Sequence, residues 1–474
     1  MASDSSPPDE GKMRRKRRER EVRRKVPAVP EVPEVQADIE DLTARGHLAL
    51  QSGRREEALS CFKKALKASV ELQDSRVRRA CSFNLGAAYV EAGKPQKGLD
   101  FLQRAQPGPR ADRVADLQFN LAVAHNALGQ RQEAAAYFLQ AAQLYRSQGD
   151  GASEGDACME MARCYVKLQD WTQAVQGFLR AGESYRVAAV LDSAAIALKE
   201  AGSHMVQSDQ FSQDDITSVL TECLNLADSI TDPRTLGELY LAVGVAYCRL
   251  RCFWEAVRCF QQALPPPAPP PSGPPPPSLP PTLLADTLLN LGAALNSVGQ
   301  FRPAVGYHRL AVGLYGSLGR RADQAQCFSN LAFACSQLGE EEEAEESFIH
   351  ALQAFRDTED YPSQCQVCEA LADSYLKQKK IQKAAELYKQ ALSALSRCPD
   401  GSSAVQDRLV ERLTAALQQR LSVSLQRPRP LRPRPLRPRP DSPPSGQPGS
   451  RMEAGLTKAP ADAGGSGGKG PECR

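Results

Sequence analysis

Small and apolar residues recur along this chain in a pattern that returns about every 40 residues. The step Leu291-Gly292 is followed 40 residues later by Leu331-Ala332, and the pattern returns once more at position 371. Related steps can be followed through nine copies. Self-similarity at a fixed period is typical of solenoids, in which each unit buries its apolar face only against its neighbours. The pattern therefore predicts a protein that presents a long surface to a partner.

Each copy predicts two helices joined by a short turn. The first helix carries a small residue, at positions 46, 86, 122, 162, 244, 292, 332 and 372. Glycines, which adopt a left-handed backbone at little cost, mark the turn in several copies: Gly53, Gly93, Gly129, Gly299 and Gly339. The second helix carries spacings of four and three, as in Ala174, Phe178 and Ala181. These spacings place the three side chains on one face of a helix.

The offsets of these residues resemble the tetratricopeptide repeat, whose units carry Leu-Gly, Tyr, Ala, Phe and Ala in this order. The resemblance spans residues 38–398, and the longer unit with its Asn-Leu-Gly step is similar to the repeats of Pins-type spindle adaptors. The copy between Ala188 and Ala227 is helical in composition but lacks the Ala-Phe-Ala spacing. The resemblance implies an all-α fold, a right-handed superhelical solenoid of antiparallel helix pairs. It also implies binding of an extended peptide or a helix from a protein partner along the concave groove.

Composition divides the chain into a solenoid, expected over residues 38–425, and two tails. Residues 1–37 and 426–474 are polar, charged or rich in Pro and Gly, and they are predicted to be disordered. Residues 265–281 are almost all proline, so we expect a loop between two repeats there. Residues 403–425 carry leucines four apart, which predicts an amphipathic helix that caps the last repeat.

Charge is distributed unevenly along the chain. The net charge is +3, of which residues 12–25 contribute +8 and residues 427–440 contribute +6, leaving −11 on the rest. We expect the first basic run to be a solvated tail or a nuclear import signal. The alternative function is that of a nucleic-acid-associated or nuclear protein that uses this basic arm. No aromatic residue is interleaved with the run, so nucleic acid is the less favoured partner.

A ladder of asparagines is the candidate binding site. Asn84, Asn120, Asn290 and Asn330 each stand one residue before the Leu-Gly or Leu-Ala step, and Asn126 and Asn296 lie six residues after Asn120 and Asn290. In the resembling adaptors, side chains of the first helix line the concave surface. An asparagine there can donate to and accept from the backbone of an extended peptide. The alternative is that these asparagines only cap or brace neighbouring helices.

Two further features bear on partners and location. The segment Arg427–Pro438 fits Arg-x-x-Pro-x-x-Pro twice, which makes it a candidate for contact with an SH3 domain, with low-complexity drift as the alternative. No apolar stretch is long enough to cross a membrane, and the N-terminus lacks the apolar segment of a secretory signal. We therefore expect a cytoplasmic protein without a membrane partner, and the basic run leaves nuclear import open.

The remaining candidate chemistry does not converge on a reaction. Cys365 and Cys368 form a lone pair without a nearby histidine, and the five histidines are scattered through different repeats. The acidic run 340–346 begins a second helix, where acids favour the helix dipole, and we expect it to be a solvated face. We expect no catalytic residue, no cofactor and no metal. The predicted function is that of a non-catalytic adaptor or scaffold for protein–protein interaction.

Overall fold

A computed structural model describes residues 32–106, 114–208, 210–265, 279–398 and 402–425 of the chain. Within these ranges the structure contains α-helices, one short 3-10 helix at Ala227–Ser229 and no strand. The basic run at 12–25, most of the proline run and the segment Arg427–Pro438 lie outside the described residues. The first helix begins at Val32, ahead of the predicted start near Asp38.

The described residues form nine helix pairs followed by one further helix. The pairs are α1 (Val32–Gln51) with α2 (Arg55–Glu71), α3 (Ser75–Glu91) with α4 (Pro95–Arg104), α5 (Val114–Ala127) with α6 (Arg131–Gln148), α7 (Gly151–Lys167) with α8 (Trp171–Val187), α9 (Leu191–Gln207) with α10 (Gln213–Asn225), α11 (Pro233–Arg249) with α12 (Phe253–Gln262), α13 (Pro281–Ser297) with α14 (Phe301–Ser317), α15 (Arg321–Leu338) with α16 (Glu341–Asp357), and α17 (Tyr361–Lys377) with α18 (Ile381–Leu395). The last helix is α19 (Ser403–Leu425). From α1 to α18 each helix packs on the next one along the chain, so the predicted all-α solenoid of helix pairs is confirmed.

The small residue of a first helix makes room for a bulky side chain, in several pairs a ring, of the second helix. A Cβ added to Gly244 would lie 2.5 Å from Cε1 of Phe260, and a Cβ added to Gly46 would lie 2.6 Å from Cε1 of Phe62. Both rings are fully buried. A larger residue at either glycine would have to push the ring out of a close-packed interior. The recurring small residue therefore sets the distance between the two helices of a pair.

The turns between paired helices contain one residue with a left-handed backbone conformation, as the glycines predict. The predicted turn glycines have positive φ angles, for example +73° at Gly93 and +80° at Gly339. Copies without a glycine keep the same backbone, since φ is +59° at Arg251 and +60° at Lys379. A side chain at such an angle carries some strain. The turn is therefore imposed by the packing of the pair and is only eased by glycine.

The irregular copy keeps the pair but changes the side chain that holds it together. In α9 and α10, Leu220 takes the place of the missing aromatic residue and is fully buried. A Cβ added to Gly202 would lie 2.5 Å from Cδ2 of Leu220. The same combination of a small residue and a bulky side chain is thus present at different offsets, which is why the Ala-Phe-Ala spacing does not reveal it.

The helix α19 packs against the last pair. Leu409 is fully buried in a cluster with Ala372 and Tyr388. Arg408 donates to both carboxylate oxygens of Glu369 over 2.9 and 3.0 Å, and Arg412 pairs with Asp373. The packed unit ends at Arg420. An apolar side and two ion pairs thus attach α19 to the side of α17.

First helices also contact one another across repeats. Helix α13 contacts α15, α15 contacts α17, and α3 contacts both α1 and α5. Between the second helices of successive repeats, the described residues show no contact of comparable extent. In a curved stack, the helices that approach each other most closely lie on the inner side of the curve. We call the surface formed by the first-helix positions immediately before and immediately after the Leu-Gly or Leu-Ala step the inner face.

Candidate functional site

All six candidate asparagines lie on first helices and are half-buried. Asn84 is on α3, Asn120 and Asn126 are on α5, Asn290 and Asn296 are on α13, and Asn330 is on α15. The four that precede the Leu-Gly or Leu-Ala step belong to the inner face. Their hydrogen bonds separate the six into two groups. Five keep side-chain donors or acceptors that could bind a partner, and one uses its side chain within the fold.

Asn120 and Asn290 bond to their own helices. The Nδ2 of Asn120 donates to the carbonyl of Asp116 at 2.9 Å, and the Nδ2 of Asn290 donates to the carbonyl of Asp286 at 2.7 Å. This bond to the residue four positions earlier fixes the orientation of the amide. It leaves the Oδ1 atom and the second N–H of each amide with capacity for another molecule.

Asn330, Asn84 and Asn126 are also incompletely bonded. The Oδ1 of Asn330 accepts from Nε2 of Gln326 at 3.1 Å, so its amide nitrogen keeps both donors. Asn84 and Asn126 make no side-chain hydrogen bond to any part of the chain that the structure describes. Five of the six asparagines can therefore offer at least one polar group to a partner.

Asn296 holds three helices together. Its Nδ2 donates to the backbone carbonyl of Asn330 on α15 at 3.0 Å and lies 3.2 Å from Nε2 of His308 on α14. Its Oδ1 is buried and has no partner among the described residues. This geometry fits the bracing alternative rather than contact with a peptide.

The inner face of α13 and α15 carries no charge at its defining positions. These positions hold Asn290 and Ala293 on α13, and Asn330 and Phe333 on α15. Phe333 is 44% exposed, and its ring meets Phe301 edge-on with centroids 6.0 Å apart. An exposed aromatic next to amides offers a partner both apolar area and hydrogen bonds.

Other first helices carry charge at these positions of the inner face. On α7 the asparagine position is taken by Glu160, which pairs with Arg163. On α17 the position of Phe333 is taken by Asp373, which pairs with Arg412. The uncharged stretch on α13 and α15 is therefore bounded by a change of chemistry on α17. Sequence reasoning missed Phe333, although it is a visible signal: among the copies with a Leu-Gly or Leu-Ala step, it is the one aromatic residue immediately after the step.

A second polar motif recurs inside the pairs. The hydroxyl of Tyr145 donates to Asp116 at 2.7 Å, and that of Tyr185 donates to Asp156 at 2.6 Å. Tyr315 and Asp286 form the same bond, and each tyrosine follows its aspartate by 29 residues. The pKa of each of these phenols is raised, mainly by burial and secondly by the bond to the carboxylate. The motif ties the end of a second helix to the start of its first helix, and the 29-residue spacing could have revealed it.

Replacing Tyr185 by Phe is expected to lower the free energy of unfolding by about 1 kcal/mol, because one hydrogen bond is lost while Asp156 remains exposed to water. Thermal unfolding followed by circular dichroism measures the change. Tyr137→Phe is the matched control, since Tyr137 stacks on His125 and its hydroxyl has no partner among the described residues. Equal losses for the two variants would contradict a specific role for the Tyr-Asp bond.

The acidic run 340–346 is only in part the solvated face that its composition predicts, since Glu340, Glu342 and Glu346 are exposed. Glu341 accepts hydrogen bonds from Ser374 and Gln378, both at 2.9 Å. Glu345 accepts from the hydroxyl of Tyr375 at 2.6 Å, and this bond is the main reason that the pKa of Glu345 is lowered. The prediction is wrong for these residues because the start of α16 faces the end of α17.

Cysteines in the described residues are unpaired and mostly buried. Cys365 and Cys368 lie in the core between the last helices, and burial raises the pKa of Cys368 to about 11. Cys335, Glu340 and Glu343 bring a thiol and two carboxylates within 4.8 Å of one another. The guanidinium of Arg309 already donates to both oxygens of Glu343, so this cluster does not present a free ligand set.

Comparison with protein families assigns repeats to several parts of the chain. Residues 321–397 and 42–69 match two tetratricopeptide repeat models, and residues 110–220 match the model of the soluble NSF attachment protein, SNAP. The chain therefore contains tetratricopeptide repeats, a fold that generally mediates protein–protein interaction. These matches indicate no enzyme family. None of the described helices is long and apolar enough to cross a membrane.

Solved structures with similar helix repeats have low sequence identity to this chain. The apo form of RapI is 9% identical over 76% of this chain and 97% of its own, with a TM-score of 0.47. A STAND protein with a tetratricopeptide repeat sensor from Pyrococcus horikoshii is 14% identical over 83% of this chain and 57% of its own, with a TM-score of 0.47. The TPR-like repeats of a putative kinesin light chain from Podosopora anserina are 17% identical over 41% of this chain and 97% of their own, with a TM-score of 0.35.

Proposed function

We propose that this chain is a non-catalytic adaptor that binds an extended peptide or a helix of a partner protein along the inner face. The observation that carries the proposal is the uncharged stretch on α13 and α15, where Asn290 and Asn330 keep unused polar groups and Phe333 is exposed. The exposed part of the Phe333 ring does not contribute to packing within the solenoid, so it is available to a partner. Solenoids typically use such extended surfaces for binding.

The chemistry of the stretch suits a peptide backbone of low charge. Each asparagine amide offers both a donor and an acceptor, as each peptide unit does. Phe333 supplies the rigid apolar contact that typically dominates the energy of an interface. The amide orientations of Asn290 and Asn330 are set by bonds within their own helices, which lowers the entropy that binding would cost. Asn84, Asn120 and Asn126 extend the proposed surface toward α3 and α5.

The test selects ligands first and measures affinity afterwards. A peptide library displayed on phage is selected on the full chain, and the dissociation constants of recovered peptides are measured by fluorescence polarisation. The double change Asn290→Ala and Asn330→Ala is expected to weaken binding by roughly ten- to hundred-fold, because each lost bond costs about 1 kcal/mol and unpaired groups add to it. Phe333→Ala is expected to weaken binding to a similar extent, with a modest fall in the melting temperature from the lost contact with Phe301.

Two control variants separate binding from stability. Asn296→Ala removes the brace between α13 and α15, so we expect a lower melting temperature and a smaller loss of affinity. Gln353→Ala, an exposed residue on the second helix α16, is expected to change neither quantity. If the Asn290 and Asn330 double variant melts earlier but keeps its affinity, these asparagines brace the fold and the proposed site is wrong. The described residues give no observation that favours the nucleic-acid-associated alternative.

A further inference from the structure

A cavity of about 170 Å³ lies between the last two helix pairs, away from the inner face. It is bounded by the C-terminal half of α16, the N-terminal half of α17 and the end of α18. Its polar lining consists of Arg356, Tyr361, Gln364, Gln390, Ser393 and Arg397. The lining therefore combines two guanidinium groups with hydroxyl and amide donors, and it contains no carboxylate.

The two arginines lack an acidic partner within the described part of the chain. Arg356 donates to the side-chain carbonyl of Gln390 at 2.8 Å, and Arg397 lies over the ring of Tyr361, 5.5 Å from its centroid. Of the acids that follow Arg356 in sequence, Asp357 pairs with Arg321 and Asp360 caps the first turn of α17. Glu359 is exposed and forms no ion pair with either arginine. Two positive charges thus line one cavity with no ion-paired acid among the described residues, on a solenoid that is acidic as a whole.

We infer that this cavity binds a phosphate group, with Arg356 and Arg397 as its cationic ligands. Two guanidinium groups match the charge of a phosphate dianion, whereas a single carboxylate would neutralise only one of them. The planar fork of arginine bonds phosphate oxygens in pairs. Tyr361 and Ser393 supply hydroxyl donors for a further oxygen. The cavity shares no residue with the uncharged stretch on α13 and α15, so the two sites can be tested separately.

The competing explanation is purely structural. Arg356 lies in the last turn of α16 and Arg397 lies two residues after the end of α18, where cations favour the helix dipole. In that case replacing the arginines lowers stability in every buffer. A binding site predicts instead an effect that depends on the anion, and this difference decides the experiment.

The experiment is calorimetric titration of the full chain with inorganic phosphate at constant ionic strength, with acetate as the carboxylate comparison. We expect saturable phosphate binding that weakens roughly ten- to hundred-fold in Arg356→Gln and in Arg397→Gln, since each loses charge-assisted hydrogen bonds. The matched control is Arg321→Gln, which removes an exposed arginine outside the cavity. It is expected to leave phosphate binding unchanged.

Several results would overturn the inference: no saturable binding of phosphate, equal binding by the wild type and the cavity variants, equal loss in Arg321→Gln, or acetate binding as tightly as phosphate. If a glutamine variant fails to fold, Arg356→Lys and Arg397→Lys keep the charge, lose the fork and are expected to bind more weakly than the wild type. The affinity of a short phosphoserine peptide is then compared with that of inorganic phosphate, to show whether the bound phosphate group belongs to a partner protein or is free phosphate. Tighter peptide binding indicates a phosphorylated partner, and equal binding indicates free phosphate.

Discussion

Between pH 6.5 and pH 4 the protein is expected to lose about 3 kcal/mol of unfolding free energy through one residue, His308. This side chain is fully buried on α14, and burial lowers its pKa from 6.5 to about 4. Its Nδ1 is buried without a partner, and Nε2 faces the amide of Asn296. The folded state therefore holds the neutral imidazole, while the unfolded chain takes up a proton below pH 6.5. The stability is complete above pH 6.5 and is lost as the pH falls toward 4.

The variant His308→Phe isolates this contribution. Other copies place phenylalanine at the same position, for example Phe260 and Phe348, so the ring fits the site. The variant is expected to exceed the wild type by about 2 kcal/mol more at pH 5 than at pH 7.5, because one pKa unit corresponds to about 1.4 kcal/mol. Chemical unfolding at both pH values measures the difference. His350→Phe, in which the replaced side chain is exposed, is the control, and an equal gain there would contradict the assignment to His308.

Replacing Leu409 by Ala is expected to destabilise the last repeat by about 2–5 kcal/mol. Leu409 is fully buried between α19 and the pair α17–α18, and truncation leaves a cavity in a close-packed cluster. Val410, the next residue on the same helix, is 46% exposed, so Val410→Ala is expected to cost much less. Hydrogen exchange of α17 and α18, measured for both variants, locates the loss in the last repeat.

Removal of α19 extends the same test to the proposed cap. Without residues 403–425, Glu369 and Asp373 lose their arginine partners and the apolar side of α17 is exposed to water. We expect the truncated protein to self-associate and to melt at a lower temperature, because a terminal repeat needs a polar outer face. A truncated protein that stays monomeric with an unchanged melting temperature would show that α19 is not a cap.

The fold could be predicted from the sequence because its determinants are local and repeated. A small residue followed 16 positions later by an aromatic residue, as in Gly244 and Phe260, occurs in several copies. Each occurrence strengthens the assignment of the repeat. The turn glycines predict a left-handed backbone, and the structure has one at Gly93 and Gly339. Even where the spacing fails, in α9 and α10, helical composition was enough to predict the elements, while the replacement of the aromatic by Leu220 required the packed structure.

The candidate site could be predicted only in part. The sequence placed the asparagines on one side of the first helices, but it could not distinguish Asn290, which keeps spare hydrogen-bonding capacity, from Asn296, which braces α15. The distinction depends on which backbone carbonyl lies within 3 Å, and that depends on how successive repeats stack. Whether these residues bind a peptide stays a prediction.

The sequence by itself determined the class of the protein: helix pairs, their number and their turns. These follow from short-range spacing, which is the same in every copy. Tertiary structure alone decided which polar side chains form bonds within the fold and which remain available to a partner. It engaged Glu341 and Glu345 in bonds to α17, exposed Phe333 and left two arginines unpaired at one cavity. The physical reason is that a side chain's hydrogen bonds and its burial depend on neighbours about 30 to 40 residues away in sequence. The repeat period brings these neighbours close in space but does not indicate which side chains will meet.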